Sequence, residues 1–221
     1  VFSGMNLDAA GNPADVPADG NPEQFVSDLE ALGPTFVKLG QMLSTRPDMV
    51  PVEFATALER MQEKVAEIPV ERIHAIVEQE LGAPVNKLFA SFDPEPLGCA
   101  SIAQVHRAVL HDGRQVAVKV QKPEVAAQLR SDLEAWRSFA LAADHLTQVG
   151  RRDRLRDWLN EFAKTLMQEL DYHAEAENLA RFGRHLKPFR RLWVPQPLWD
   201  YCSQRVLTME LATGVRVDAI P

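Results

Sequence analysis

Residues 97–120 constrain the fold most strongly, because their pattern is typical of short strands separated by tight turns. Residues 97–110 predict a strand, a turn and a second strand. Asp112-Gly113 is a strong signal for a hairpin turn. The run at residues 115–120 is short, apolar and rich in valine, which favours a third strand. An antiparallel sheet is therefore expected in this part of the chain.

Helical patterns flank the predicted sheet on both sides. Between residues 22 and 81, apolar side chains recur at spacings of three and four, which predicts several short helices. After the sheet, we expect one helix from Pro123 to about residue 150 and a second from about residue 155 to 182. Residues 194–195 and 206–211 are typical of two final strands.

These elements predict an α+β fold in three parts. Residues 1–21 are rich in Gly, Pro, Asn and Asp and are expected to form a flexible lead-in. Residues 22–90 are expected to form a helical extension, and residues 91–221 the antiparallel sheet with its helices. No apolar run approaches the roughly 20 residues of a membrane-spanning helix. Because the pattern is cut off at both ends, we expect a piece of a longer protein.

Charge and cysteine content narrow the class of protein. The net charge is −7, and residues 1–37 contain six acids but no Lys or Arg. A nucleic-acid-binding protein would carry a basic excess, so no nucleic acid partner is expected. Cys99 and Cys202 lack metal-ligand spacing and favour a reducing compartment. We therefore expect a cytoplasmic protein with no metal site in this chain.

The loop and the third predicted strand resemble the nucleotide-binding elements of protein kinases. A kinase phosphate loop reads G-x-G-x-x-G-x-V, and here Gly98 and Val105 occupy its first and last positions. Ala100 and Ala103 replace the second and third glycines. Residues 116–119, ending in Lys119, match the V-A-I-K pattern whose lysine holds the α- and β-phosphates of ATP. A lone strand lysine is usually a solvated charge; the ordered combination of loop, turn and strand favours nucleotide binding.

The alanine-rich loop and two further motifs resemble the UbiB family of atypical kinases, which are associated with ubiquinone biosynthesis. The loop spans residues 96–106. The KxGQ motif of the family is found as Lys38-Leu-Gly-Gln41, and its ExD motif as Glu169-Leu-Asp171. The chain departs from many relatives at Gly98-Cys99, where they have Ala. The resemblance covers residues 32–220 and implies a kinase-like N-lobe preceded by a KxGQ extension.

The resemblance also implies roles for single residues. Glu175 resembles the glutamate that pairs with the strand lysine, here Lys119. Glu169 resembles the acid that engages the KxGQ lysine, here Lys38, and would fold the extension over the ATP cleft. That arrangement implies ATP hydrolysis or phosphorylation of a small or lipid-like molecule rather than of a protein. The residues expected around ATP are Gly98, Ala100, Ser101, Ala103, Val105, Ala117, Lys119, Met209, Glu210 and Ala212.

Spacing makes two further predictions. Lys38 and Gln41 are three residues apart and share a helix face. On a continuous helix, Asp171 and Glu175 would also share a face, where two carboxylates repel unless a cation is near. For both pairs, side chains that simply point to water are the alternative.

Residues 208–212 fit the hinge of a kinase. Met209 would be the gatekeeper, and the Glu210 carbonyl and Ala212 amide would face the adenine edge; an ordinary core strand is the alternative. The chain contains no HRD-like or DFG-like run. The catalytic loop and the ligands of Mg²⁺ are therefore expected in a C-lobe beyond Pro221.

Two functions remain open at this point. The leading one is an ATP-dependent kinase or ATPase that supports isoprenoid-quinone metabolism. The alternative is a non-catalytic pseudokinase that binds lipid or acts as a scaffold. We expect a lipid-like or quinone-precursor substrate and a peripheral contact with the inner membrane, or an anchor outside this chain. A basic cluster at residues 151–156 could meet anionic head groups, although a solvated helix start is the alternative.

Overall fold

A computed structural model of the chain describes residues 21–46, 50–60, 67–146 and 152–214. The contacts divide the chain into two compact units, residues 1–63 and 64–221. The predicted lead-in at residues 1–21 lies outside the described residues, apart from Asn21.

The described part of the first unit contains three helices: α1 (Pro22–Leu32), α2 (Pro34–Ser44) and α3 (Val52–Glu59). The Asn21 side chain caps α1 by accepting from the backbone N–H groups of its first turn. Gly33 joins α1 to α2 with φ 102°, a conformation that favours glycine. The helices share a small apolar core, formed by Val26, Leu29, Val37, Ala57 and Leu58.

The second unit is built on the predicted antiparallel sheet. Its strands are β1 (Ser91–Cys99), β2 (Ala103–Val109), β3 (Gln115–Gln121) and β4 (Val206–Glu210), in the order β1-β2-β3-β4. The predicted turn between β2 and β3 is confirmed: Gly113 has φ 89° and its N–H donates to the Leu110 carbonyl. The expected α+β class is also confirmed.

Two short helices cover one face of this sheet. They are α4 (Val70–Leu81) and α5 (Val85–Leu88). Apolar side chains from both helices and from three strands form one buried cluster, which consists of Ile73, Ile76, Val77, Val85, Phe89, Ala108, Leu110, Val116, Val118, Val120 and Val206. Because this cluster is buried between the helices and the sheet, α4 and α5 belong to the same compact unit as the sheet. From the sequence alone, both helices were expected to belong to the extension at residues 22–90.

Three longer helices connect β3 to β4: α6 (Val125–Leu146), α7 (Arg152–Gln168) and α8 (Tyr172–Leu186). Helix α6 begins at Val125, two residues after Pro123, and Glu124 between them has a left-handed φ of 65°. Its predicted end at residues 147–150 lies outside the described residues, as does Arg151 of the basic cluster.

The prediction of one helix over residues 155–182 is wrong. The chain turns at residues 169–171, and Asp171 then caps α8 by accepting from the Ala174 N–H at 3.1 Å. A capping aspartate satisfies an otherwise unpaired donor of the new helix, so it favours a fresh start over continuation. The periodicity of apolar residues does not reveal such a break.

The strand predicted at residues 194–195 is also wrong. Only an isolated bridge forms nearby, between Pro197 and Met209. Pro195 and Pro197 have no backbone N–H to donate, so the segment cannot form a regular ladder with β4.

Candidate nucleotide-binding site

The two faces of the sheet carry different side chains. Val118, Val120 and Val206 belong to the buried cluster beneath α4 and α5. Because successive strand residues point to opposite faces, Ala117 and Lys119 lie on the other face. The register places Val105 opposite Lys119 and Met209 opposite Ala117.

Directly opposed residues share a face, as do residues two apart on one strand. The sheet therefore brings five of the residues expected around ATP onto one face, namely Ala103, Val105, Ala117, Lys119 and Met209.

An ion pair joins Lys119 on β3 to Glu175 on α8. The lysine Nζ lies 2.8 Å from Oε1 and 2.7 Å from Oε2 of the carboxylate. The side chains are 22% and 37% exposed, so the pair is only partly screened by water. Glu175 sits in the first turn of α8, where the helix dipole also favours a negative charge. The contact that the resemblance implies is confirmed.

The loop between β1 and β2 is a tight turn. The Ala100 N–H donates to the Ala103 carbonyl at 2.8 Å, and Ala103 itself already belongs to β2. Left-handed φ values occur, among the described residues, only at four glycines outside this loop and at Glu124. The loop thus needs no conformation reserved for glycine, which explains how it accommodates alanine. Ser101 and Ala103 are buried.

Gly98 lies at an irregular position of β1, opposite Val105. A Cβ placed on it would meet nothing within 4 Å, and its φ is not left-handed. The position therefore has room for an alanine.

A buried polar network lies behind this loop. The Gln104 Oε1 accepts from the Ile68 N–H at 2.9 Å, and its Nε2 donates to the Ile68 carbonyl at 3.1 Å. The same Nε2 lies 2.9 Å from Nε2 of His106, whose Nδ1 lies 2.8 Å from the Asp93 carbonyl. A carbonyl can only accept, so Nδ1 of His106 carries the proton and its Nε2 accepts from Gln104. The histidine is neutral in this arrangement.

Sequence reasoning missed this network. The signal was present, because Gln104 and His106 alternate in phase with the buried Ala108 and so occupy inward positions of β2. Burial lowers the pKa of His106, although the hydrogen bond to Asp93 acts in the opposite direction. The network ties the segment before α4 to the strand that follows the loop.

The expected hinge leaves the sheet after β4. Met209 is half-buried, whereas Glu210 and Ala212 are exposed. The Glu210 N–H donates to the Gln196 carbonyl at 3.0 Å, and its carboxylate accepts from the Gln196 N–H at 3.0 Å. These two bonds fix the end of β4 against the preceding segment and leave the Ala212 side of the chain accessible.

The two family motifs lie in different compact units. Lys38 and Gln41 are half-buried on α2, one turn apart as predicted. Glu169 lies in the turn between α7 and α8. The prediction that Asp171 and Glu175 share a helical face is wrong, because Asp171 precedes α8 and its carboxylate caps the helix.

Comparison with known proteins finds one matching family and two similar proteins. A family model described as the ABC1 atypical kinase-like domain matches residues 60–221. The chain is 42% identical over 189 residues to the "Probable protein kinase UbiB" of Azotobacter vinelandii, covering 86% of this chain and 35% of that protein. It is 40% identical over 190 residues to the chloroplastic "Protein ACTIVITY OF BC1 COMPLEX KINASE 7" of Arabidopsis thaliana, covering 85% and 27%.

Among solved structures, the complex of Rv3197 with erythromycin from Mycobacterium tuberculosis is similar in fold. It is 29% identical in sequence with a TM-score of 0.58, and the match covers 87% of this chain and 48% of that one. The chain thus spans about a third or less of the length of the two curated relatives.

Proposed function

This chain belongs to the ABC1 atypical kinase-like family, and we propose that it forms the ATP-binding part of a UbiB-like kinase or ATPase. The observation that carries the proposal is the ion pair between Lys119 and Glu175, on the face of the sheet opposite α4 and α5. An ammonium held by a carboxylate at a fixed place is what a phosphate-binding lysine requires, because it then meets the phosphates without reorganisation.

The chain's own residues would contribute mainly orientation and charge. Lys119 has three N–H donors, and Glu175 offers it two oxygens. A remaining donor would contact the α- or β-phosphate, while Val105 and Ala117 would pack against the base. Mg²⁺ would neutralise the phosphates, and the resemblance implies that residues beyond Pro221 bind it.

A small or lipid-like substrate fits the family motifs better than a protein does. We infer that Lys38 engages Glu169 and so closes the side of the cleft on which a protein kinase binds its peptide. A quinone precursor is the substrate class that the relation to UbiB favours. A scaffolding pseudokinase is the second candidate, because residues 1–221 contain no HRD-like or DFG-like run.

A peripheral membrane contact is also part of the proposal. No helix in the described ranges is both long and apolar enough to cross a bilayer. Residues 179–199 contain five Lys and Arg side chains and no acid. Phe182, Phe189 and Trp193, from the same segment, are each more than half exposed. Basic and aromatic side chains together suit the interface of an anionic membrane.

Titration of ATP with Mg²⁺ tests the nucleotide site. The titrated protein is this chain together with the C-lobe expected after Pro221, called the longer protein below. We expect Lys119→Met to weaken binding about tenfold or more, since hydrogen bonds to charged groups contribute about 1.5–3 kcal/mol. Lys87→Met is the matched control, because Lys87 is exposed on α5 and lies on the covered side of the sheet. Equal affinities in all three proteins would contradict the site, and an absence of binding to the wild type would favour the scaffold.

A further inference from the structure

Lys119 contacts an aromatic ring as well as a carboxylate. Its Nζ lies 4.6 Å from the centre of the Tyr172 ring. This distance is within the roughly 6 Å over which the face of a ring attracts a cation. The Tyr172 side chain is 0% exposed, so water does not compete with the lysine for the ring.

The start of α8 fixes both partners of the lysine. Tyr172 is the first residue of the helix, and its N–H donates to the Gln204 carbonyl at 3.2 Å. Glu175 follows three residues later and therefore lies on the same helical face. The cap at Asp171 sets where the helix begins and hence where both side chains meet β3.

The hydroxyl of Tyr172 is not what holds it in place. Within the described part of the chain, this buried oxygen has no hydrogen-bond partner. Burial raises the pKa of Tyr172 well above its usual value, and Glu175 and Glu169 add to the effect, so the phenol stays neutral.

We propose that Tyr172 is a positioning residue for the nucleotide. The face of its ring holds the Lys119 ammonium beside Glu175, in the orientation in which a remaining N–H meets a phosphate. This inference rests on the proposed function, since it assigns Lys119 to the phosphates of ATP. A residue that served only for packing would affect the binding of all ligands alike. A positioning role of the Tyr172 ring affects only the affinity for ligands that carry phosphate.

The test compares ATP, ADP and adenosine as ligands of the longer protein. Tyr172→Phe keeps the ring and removes only the unpartnered hydroxyl, so we expect wild-type affinity for all three. Fluorinated phenylalanines at residue 172 then weaken the negative face of the ring with little change in shape. The affinity for ATP and ADP should fall stepwise, by about two- to tenfold across the series, while that for adenosine stays constant.

Tyr172→Leu removes the ring entirely and should show the same selective loss if the domain folds. The fluorinated series keeps the inference testable if that variant does not fold. Unchanged ratios of ATP to adenosine affinity across the series would overturn the inference while leaving the nucleotide site intact. A selective loss in Tyr172→Phe would assign the role to the hydroxyl and also overturn it. A wild type that binds no nucleotide would overturn the proposed function and this inference together.

Discussion

Lys119 and Glu175 lie 56 residues apart in the sequence, yet the lysine Nζ contacts both oxygens of the carboxylate. The contact depends on where β3 ends and where α8 begins, so it reports on the tertiary fold of the second unit. Because both side chains are partly exposed, water reduces the strength of their attraction.

A double-mutant cycle should measure that attraction. We expect Lys119→Met and Glu175→Gln to show a coupling of about 0.5–1 kcal/mol in the free energy of unfolding. The exposed pair of Arg114 and Asp112, 2.8 Å apart in the hairpin turn, is a matched comparison and should couple more weakly. Urea unfolding of the four proteins in each cycle gives both values. Additive effects of Lys119→Met and Glu175→Gln would contradict the ion pair.

The network around His106 predicts a loss of stability in acid. Burial lowers the pKa of His106 in the folded protein, so the unfolded chain takes up a proton first as the pH falls. The stabilisation is complete above the unfolded value of about 6.5 and decreases as the pH falls below it. Other titratable groups that affect His106 are His74, Asp93 and Glu67.

His106→Gln should therefore reduce the change in unfolding free energy between pH 7.5 and pH 5.5. His185→Gln is the control, because His185 is exposed near the end of α8 and should leave the pH dependence unchanged. Chemical unfolding at a series of pH values provides the measurement. A pH dependence that is the same in His106→Gln and the wild type would assign acid sensitivity to other groups.

The alanine-rich loop is expected to tune nucleotide binding. Ala100→Gly releases the turn that closes on Ala103, because glycine gains access to left-handed backbone conformations. We expect a change in the affinity for ATP or in the preference between ATP and ADP, with a loss of stability of roughly 1 kcal/mol or less. Titration of both nucleotides into the longer protein measures the effect. Identical nucleotide binding by Ala100→Gly and the wild type would reduce the alanines to packing residues.

The proposed engagement of Lys38 with Glu169 makes a separate prediction. Removing one partner of a buried ion pair costs about 3–5 kcal/mol in the free energy of unfolding. Because Lys38 is only half-buried, we expect Lys38→Ala to cost less than this and to lower the melting temperature. ATP turnover should change as well. Lys164→Ala, at an exposed position of α7, is the control. If Lys38→Ala leaves both melting temperature and turnover at wild-type values, the extension does not act through this lysine.

The sequence was sufficient to predict the sheet, because strand alternation and turn residues act locally. It was also sufficient to predict the contact between Lys119 and Glu175, because the family motifs imply this long-range pairing. It was insufficient at Asp171, since a helix cap depends on one hydrogen bond and leaves the apolar period unchanged. It also missed the contact of Gln104 with the Ile68 backbone, which depends on how a distant segment packs. The contact of the Tyr172 ring with Lys119 was missed as well, because it depends on how α8 packs on β3.

Labelling with an acyl phosphate derivative of ATP tests the central claim most directly. Such a probe delivers its acyl group to a lysine beside the phosphates, forming an amide at Nζ and releasing ATP. We predict that mass spectrometry will find the label on Lys119, in preference to Lys87 and Lys122, and that excess ATP will prevent it. Label on Lys119 that persists in excess ATP, or label only on other lysines, would contradict the assignment of Lys119 to the phosphates of ATP.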